Sequence, residues 1–145
     1  MNQSLDDQTI EINLPSKIGY ERVAMASAAA LARLGGLAPE RVEDLKSAVA
    51  EACINAMQHG NNWRPEARVI VHMDLSADRF IVSVTDQGDG VPEVPVYPGI
   101  EKIIEEKVSP RGLGVFMIQQ LVDKVNFNQT ADGGHTMTME IRSTK

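Results

Sequence analysis

A chain of 145 residues that is 43% hydrophobic and 23% charged can bury roughly two-thirds of its unfolded surface. That excludes a mainly disordered chain and a many-domain assembly. The formal net charge of −6 argues against a basic groove for nucleic acid. The single cysteine, Cys53, cannot close an intrachain disulfide, which fits a reducing compartment. No apolar run approaches the roughly 18 residues of a membrane span, and the N-terminus carries no signal-peptide apolar core. The expectation is one cytoplasmic domain over residues 1–145, with neither a membrane nor a nucleic acid as partner.

Residues 8–14 alternate, with Ile10, Ile12 and Leu14 on one side, and read as a half-buried strand. Pro15 and Ser16 then open a helix whose apolar stripe is Val23, Ser27, Ala30, Leu31 and Leu34, stopped by Gly35 and Gly36. A second helix follows Pro39, with Val42, Leu45, Val49, Ala52, Cys53 and Ala56 at helical spacing. It ends at His59-Gly60-Asn61-Asn62. Two alternating stretches, 69–75 and 80–85, form a hairpin through residues 76–78. Pro92, Pro95, Pro98 and Pro110 break the pattern between Gly88 and Pro110, although 100–108 has room for a short helix. A third helix carries Leu113, Phe116, Met117, Gln120 and Leu121, and strands at about 124–129 and 135–142 close the chain around a turn at Asp132-Gly133-Gly134. Hairpin-grouped strands with amphipathic helices imply a two-layer α/β sandwich of the α+β class.

Three constellations can carry chemistry. Glu51, Asn55 and His59 are spaced four apart in E-A-C-I-N-A-M-Q-H-G, so they form one polar stripe along the border of the apolar face. An ordinary solvated helix edge has the same pattern. At the end of an apolar strand stands D-Q-G-D-G, where Asp86 can accept a hydrogen bond from an exocyclic amine and Gly88 and Gly90 admit close approach. A plain turn uses the same residues. R-G-L-G-V places Arg111, Gly112, Leu113 and Gly114 at a helix N-terminus, a setting that suits phosphate, but without P-loop spacing. His72, His135 and Cys53 have no partner at metal-ligand spacing, and Trp63, Arg64 and Pro65 read as a loop anchor.

Taken together and in this order, the three motifs resemble the N, G1 and G2 boxes of the histidine-kinase-like (GHKL) ATPases, across about residues 8–142. The chain looks most similar to the small anti-sigma factor serine/threonine kinases of bacteria. It lacks a phosphoacceptor-histidine hairpin, its lid is short, and I-G-Y-E-R-V resembles their first helix.

The resemblance implies a Bergerat-type fold: a mostly antiparallel mixed sheet with helices on one face and an ATP lid at about 91–111. It implies ATP and Mg²⁺, with Asn55 as the Mg²⁺ ligand, Glu51 as general base and His59 as a structural motif member. Asp86 would contact the adenine amine beside Gly88 and Gly90. Gly112, Leu113 and Gly114 would meet the phosphates, with Arg111 near the γ-phosphate. Arg22 would engage a partner protein. One departure stands out, because the family usually has Gly-Thr in the last hairpin and this chain has Gly134-His135-Thr136. Thr136 substitutes if the turn is one residue longer; otherwise part of the adenine contact is missing or water-mediated.

The implied activity is phosphoryl transfer to a Ser or Thr of a STAS-type antagonist, which alternates with a sigma factor as partner of a homodimeric kinase. A partner-switching kinase of a non-sigma complex, or an ATP-binding interaction module without transfer, would have the same ATP site.

Overall fold

The structure, a computed structural model, describes residues 8–76, 78–88 and 110–142, the first four of the last span by backbone alone. The suggested helix at 100–108, Gly90 and residues 91–109 of the lid expected at about 91–111 lie outside the described residues, as do the side chains of Arg111 and Leu113. In chain order the elements are β1 (Ile10–Pro15), α1 (Glu21–Leu34), α2 (Pro39–Asn55), a π-helical turn (Ala56–Gly60), β2 (Arg68–Leu75) and β3 (Arg79–Thr85). They are followed by α3 (Pro110–Gln119), β4 (Lys124–Gln129) and β5 (His135–Arg142).

The strands form one five-stranded sheet in the order β1-β2-β3-β5-β4. Every pairing among the described residues is antiparallel, so the sheet is not mixed in this part of the chain. Cross-strand register puts Val71 opposite both Ile12 and Val84, and Val82 opposite Met73 and Met139. One face is therefore a continuous apolar layer of Val69, Val71, Met73, Phe80, Val82, Val84, Met137, Met139 and Ile141, all buried. The other face alternates polar and half-buried residues. Ser83 meets Thr138 there at 3.2 Å, Thr85 meets Thr136 at 2.9 Å, and His72 lies 3.5 Å from Glu11.

Helix α2 closes the apolar layer because Val42, Leu45, Val49, Ala52 and Cys53 recur at helical spacing and are all buried. Each large side chain wholly removed from water contributes about 1.5–3 kcal/mol, so α2 is the principal anchor of the helical layer. Pro39 opens the helix at its first turn, where a missing N–H costs nothing. Below it, burial pushes the Cys53 thiol up to about 12, helped by the Glu21 carboxylate, which leaves that thiol inert.

Helix α1 differs from its sequence reading in both start and phase. It begins at Glu21 and buries Ala24, Ala28, Ala29 and Ala32, while Val23 and Leu34 are 47% and 79% exposed. The alanine methyl is too small to hold the helices apart, so close backbone packing on α2 outweighs burial of the larger residues. Hydrophobicity alone picked the wrong stripe.

Candidate functional site

Helix α2 holds Glu51 and Asn55 one turn apart at the edge of the core, Asn55 being 3% exposed. After Asn55 the winding widens into the π turn, closed by Asn61 N–H donating to Ala56 O at 2.8 Å. Such turns inside α-helices recur at functional sites. Here the turn takes half-buried His59 out of the α-helical register that linked it to Glu51 and Asn55. It also carries Asn61 into the interior. Asn62 and Trp63 follow in left-handed conformation, with φ of 53° and 55°.

Wholly buried Asn61 ties the site together. Its Nδ2 donates to Ser16 Oγ and to Arg68 O, both at 2.9 Å, and its Oδ1 accepts from Gln87 N–H at 2.8 Å and Gly88 N–H at 3.2 Å. Arg64 reinforces the same loop, donating to Asn61 O at 3.1 Å and to Gly88 O. The loop anchor is thus Arg64 and Asn61, whereas Trp63 is 38% exposed. Sequence reading treated Asn61 only as part of a helix stop. The one hint was an asparagine directly after His-Gly, in a stretch already marked as motif.

Asp86 continues β3 into this loop at 3% exposure. Its Oδ1 accepts the His135 main-chain N–H at 3.0 Å, and its own N–H donates to His135 O at 2.9 Å. Gly60 lies so close to the Asp86 carboxylate that a Cβ there would overlap it. Gly88, at φ +70°, packs against Gly133 with no room for a side chain. Backbone-to-backbone approach therefore fuses the Asp86–Gly88 loop to the β4–β5 turn.

The third motif reaches the first through Gly114. A Cβ at Gly114 would stand 2.5 Å from Asn55 Nδ2 and 2.8 Å from Glu51 Oε2. Only glycine lets α3 approach this corner. The Asn55 Nδ2 is buried without a hydrogen-bond partner, and partial burial raises the Glu51 carboxyl above its ordinary range. The two ends of an asparagine amide exchange by a half-turn, so Asn55 can present Oδ1 at the same point. A single hard oxygen there, completed by phosphate oxygens and water, fits Mg²⁺, and no cluster of three or more His, Cys, Asp or Glu exists among the described residues to bind metal alone.

Thr136 does not reach this pocket. It faces the other side of the sheet, bonded to Thr85, because strand residues alternate. His135 takes the inward position, and with Ala52, Asn55, Ala56, Val84, Asp86, Phe127 and Met137 it lines a small cavity. Arg22 does not line this cavity. It is exposed at the start of α1, beside Met25, Ala26, Ala29, Arg33 and Lys46 around a groove. None of the described helices is long and apolar enough to cross a membrane.

Residues 14–141 match the histidine kinase-like ATPase domain family. The serine-protein kinase RsbW of Bacillus velezensis is 31% identical over 96% of this chain and 87% of its own length. The serine-protein kinase RsbW of Halalkalibacterium halodurans is 31% identical over 91% of this chain and 82% of its own. Among solved structures, the RsbU and RsbW domains of Rv1364c from Mycobacterium tuberculosis superpose with a TM-score of 0.65 at 19% identity. That match covers 94% of this chain and 33% of the longer one, and it supports the fold alone. The chain therefore belongs to the histidine kinase-like ATPase family and, within it, to the serine/threonine-protein kinase family of RsbW.

Proposed function

We propose that the chain transfers the γ-phosphoryl group of Mg·ATP to a Ser or Thr hydroxyl of a STAS-type antagonist in the cytoplasm, and that as a homodimer it holds a sigma factor when the antagonist is phosphorylated. The observation that carries this reading is the convergence of Glu51, Asn55 and Gly114. A desolvated carboxyl is a stronger base than an exposed one, so Glu51 is suited to accept the hydroxyl proton. Asn55 supplies the oxygen that would hold Mg²⁺, which when bound neutralises charge on the phosphate oxygens. Asp86 accepts from the adenine amine, and the backbone around Gly112 and Gly114 receives the phosphates, with Arg111 as the added cation.

Arg22 supports the partner half of the reading. With Arg33 and Lys46 it puts three cations around one groove, against a chain whose net charge is −6. That local reversal of sign suits an acidic partner surface.

The test is incubation with γ-labelled ATP, Mg²⁺ and purified STAS proteins of the source cell, each with its phosphoacceptor serine or threonine intact or replaced by alanine. Label should appear on an intact antagonist and vanish with the alanine form. Unlabelled antagonists alongside measurable Mg·ATP binding would instead indicate a binding module.

A further inference from the structure

His135 stands where the family usually has threonine, and its side chain is only 4% exposed. The imidazole stacks on Phe127, with ring centroids 5.4 Å apart and planes at 25°. Its Nδ1 lies 3.3 Å from Asp86 Oδ1. A carboxylate only accepts, so Nδ1 is the donor in this pair and Nε2 is the ring's other polar atom. That Nε2 is buried with no partner. The cavity beside it holds about 10 Å³, near the space of one water, whereas small-molecule pockets run to about 300–1,000 Å³.

We propose that His135 is an internal competitor for the base pocket and thereby sets the nucleotide affinity of this chain. The inference rests on the reading of Asp86 as the adenine contact. The imidazole already makes the two interactions a purine would make, an aromatic stack and an N–H to the Asp86 carboxylate. The cavity beside the ring has room for about one water, so no base fits while the imidazole is in place. The base enters only when the ring turns out. The orphaned Nε2 makes that displacement easier, because outside the pocket it gains a hydrogen bond from water. Apparent affinity is then lowered by the fraction of chains with the ring outside.

The test compares His135→Ala, His135→Thr and the unaltered chain, each checked for folding by circular dichroism, in titrations with Mg·ATP, Mg·GTP and inorganic triphosphate. Both variants should bind ATP about ten-fold tighter, as for a competitor in place about ten times as often as not. Triphosphate, which has no base, should bind all three proteins equally. Should the alanine variant fail to fold, the threonine variant and the unaltered chain decide, since ATP must also shift the His135 ring resonances from a buried to a solvated environment. Unchanged or weaker ATP binding by a folded variant overturns the proposal, as does a ring that stays buried at ATP saturation. A preference for GTP in the unaltered chain, lost in the variants, would make His135 a reader of the base and overturn it too. No nucleotide bound by any of the three would instead strike at the Asp86 reading beneath it.

Discussion

At one end of the pocket Asp86 receives the His135 main-chain N–H and faces its imidazole, while the Asn61 side chain makes four hydrogen bonds, two from the Gln87 and Gly88 N–H groups and two to Ser16 Oγ and Arg68 O. At the other end Asn55 Nδ2 is buried without a partner and Glu51 is held partly desolvated beside Gly114. Both ends are walled by α2 and its π turn, yet at the first the loop backbone is satisfied from within the chain, with His135 Nε2 left over, whereas the second is left short at the Asn55 amide itself. A satisfied polar network rigidifies its surroundings, whereas an unsatisfied buried group costs free energy that a ligand can recover. Under the proposed function, shape recognition belongs to the Asp86 end and charge handling to the Glu51–Asn55 end.

The sharpest way to break this contrast is to remove the two short-changed side chains one at a time. Glu51→Ala should cut phosphoryl transfer by about 10²–10⁴-fold, the usual scale for losing a general base, with Mg·ATP binding close to unaltered. Asn55→Ala should weaken nucleotide binding in Mg²⁺ much more than in chelator. Single-turnover transfer and calorimetry together decide both. A Glu51→Ala protein that transfers phosphate at the unaltered rate would remove the base from the mechanism.

The satisfied end is attacked through Asn61. Asn61→Ala removes four hydrogen bonds and leaves buried partners such as the Gly88 N–H unmatched. At about 1–3 kcal/mol for each group left unsatisfied, and with water replacing some of them, a stability loss of about 3–4 kcal/mol is expected in urea denaturation. A loss under about 1 kcal/mol would show that the Asp86 end does not depend on this hub.

Most of this architecture was legible in the sequence, for reasons that differ by element. The five strands and α2 announce themselves because one face of each is buried, and burial writes period 2 or 3.6 into the residue order. Helix α1 was legible as a helix but not in phase, since its packed face is alanine and the larger Val23 and Leu34 face outward. Glu51, Asn55, Asp86, Gly88 and Gly114 were singled out by motif, and the structure brings Glu51, Asn55 and Gly114 to one corner. Asn61 and His135 were not assigned to the site, because a hydrogen-bond hub leaves no periodic trace and because one residue of strand register decides whether His135 or Thr136 faces inward.

A smaller effect tests the Asp86 end directly. Asp86→Asn keeps the shape but exchanges a charged acceptor for a neutral amide, so ATP should bind about 1.5–3 kcal/mol more weakly. The main-chain pairing of residue 86 with His135 remains available, so the fold should lose less than the nucleotide does. Equal affinity in a folded protein would transfer base recognition to other groups.

The smallest expected effect concerns stability at the Glu51 end and has a defined sign. Desolvation raises the Glu51 carboxyl in the folded chain above its ordinary value of 4.5, so between those two values the folded state holds more proton than the unfolded state. Stability therefore falls as pH rises through this window, and above it the folded chain carries the full cost of an ionised, partly desolvated carboxylate. Glu51→Gln has no such titration. It should be the more stable protein at pH 7, and its advantage should shrink as pH falls towards 4.5. Because Glu51 is only half-buried, water screens much of the cost, and the gain should stay below about 1 kcal/mol. Paired urea melts of the two proteins from pH 4 to 8 would measure the difference. A gap that does not narrow at low pH would mean that packing or hydrogen bonding of the amide, rather than the charge of Glu51, sets the balance at this corner.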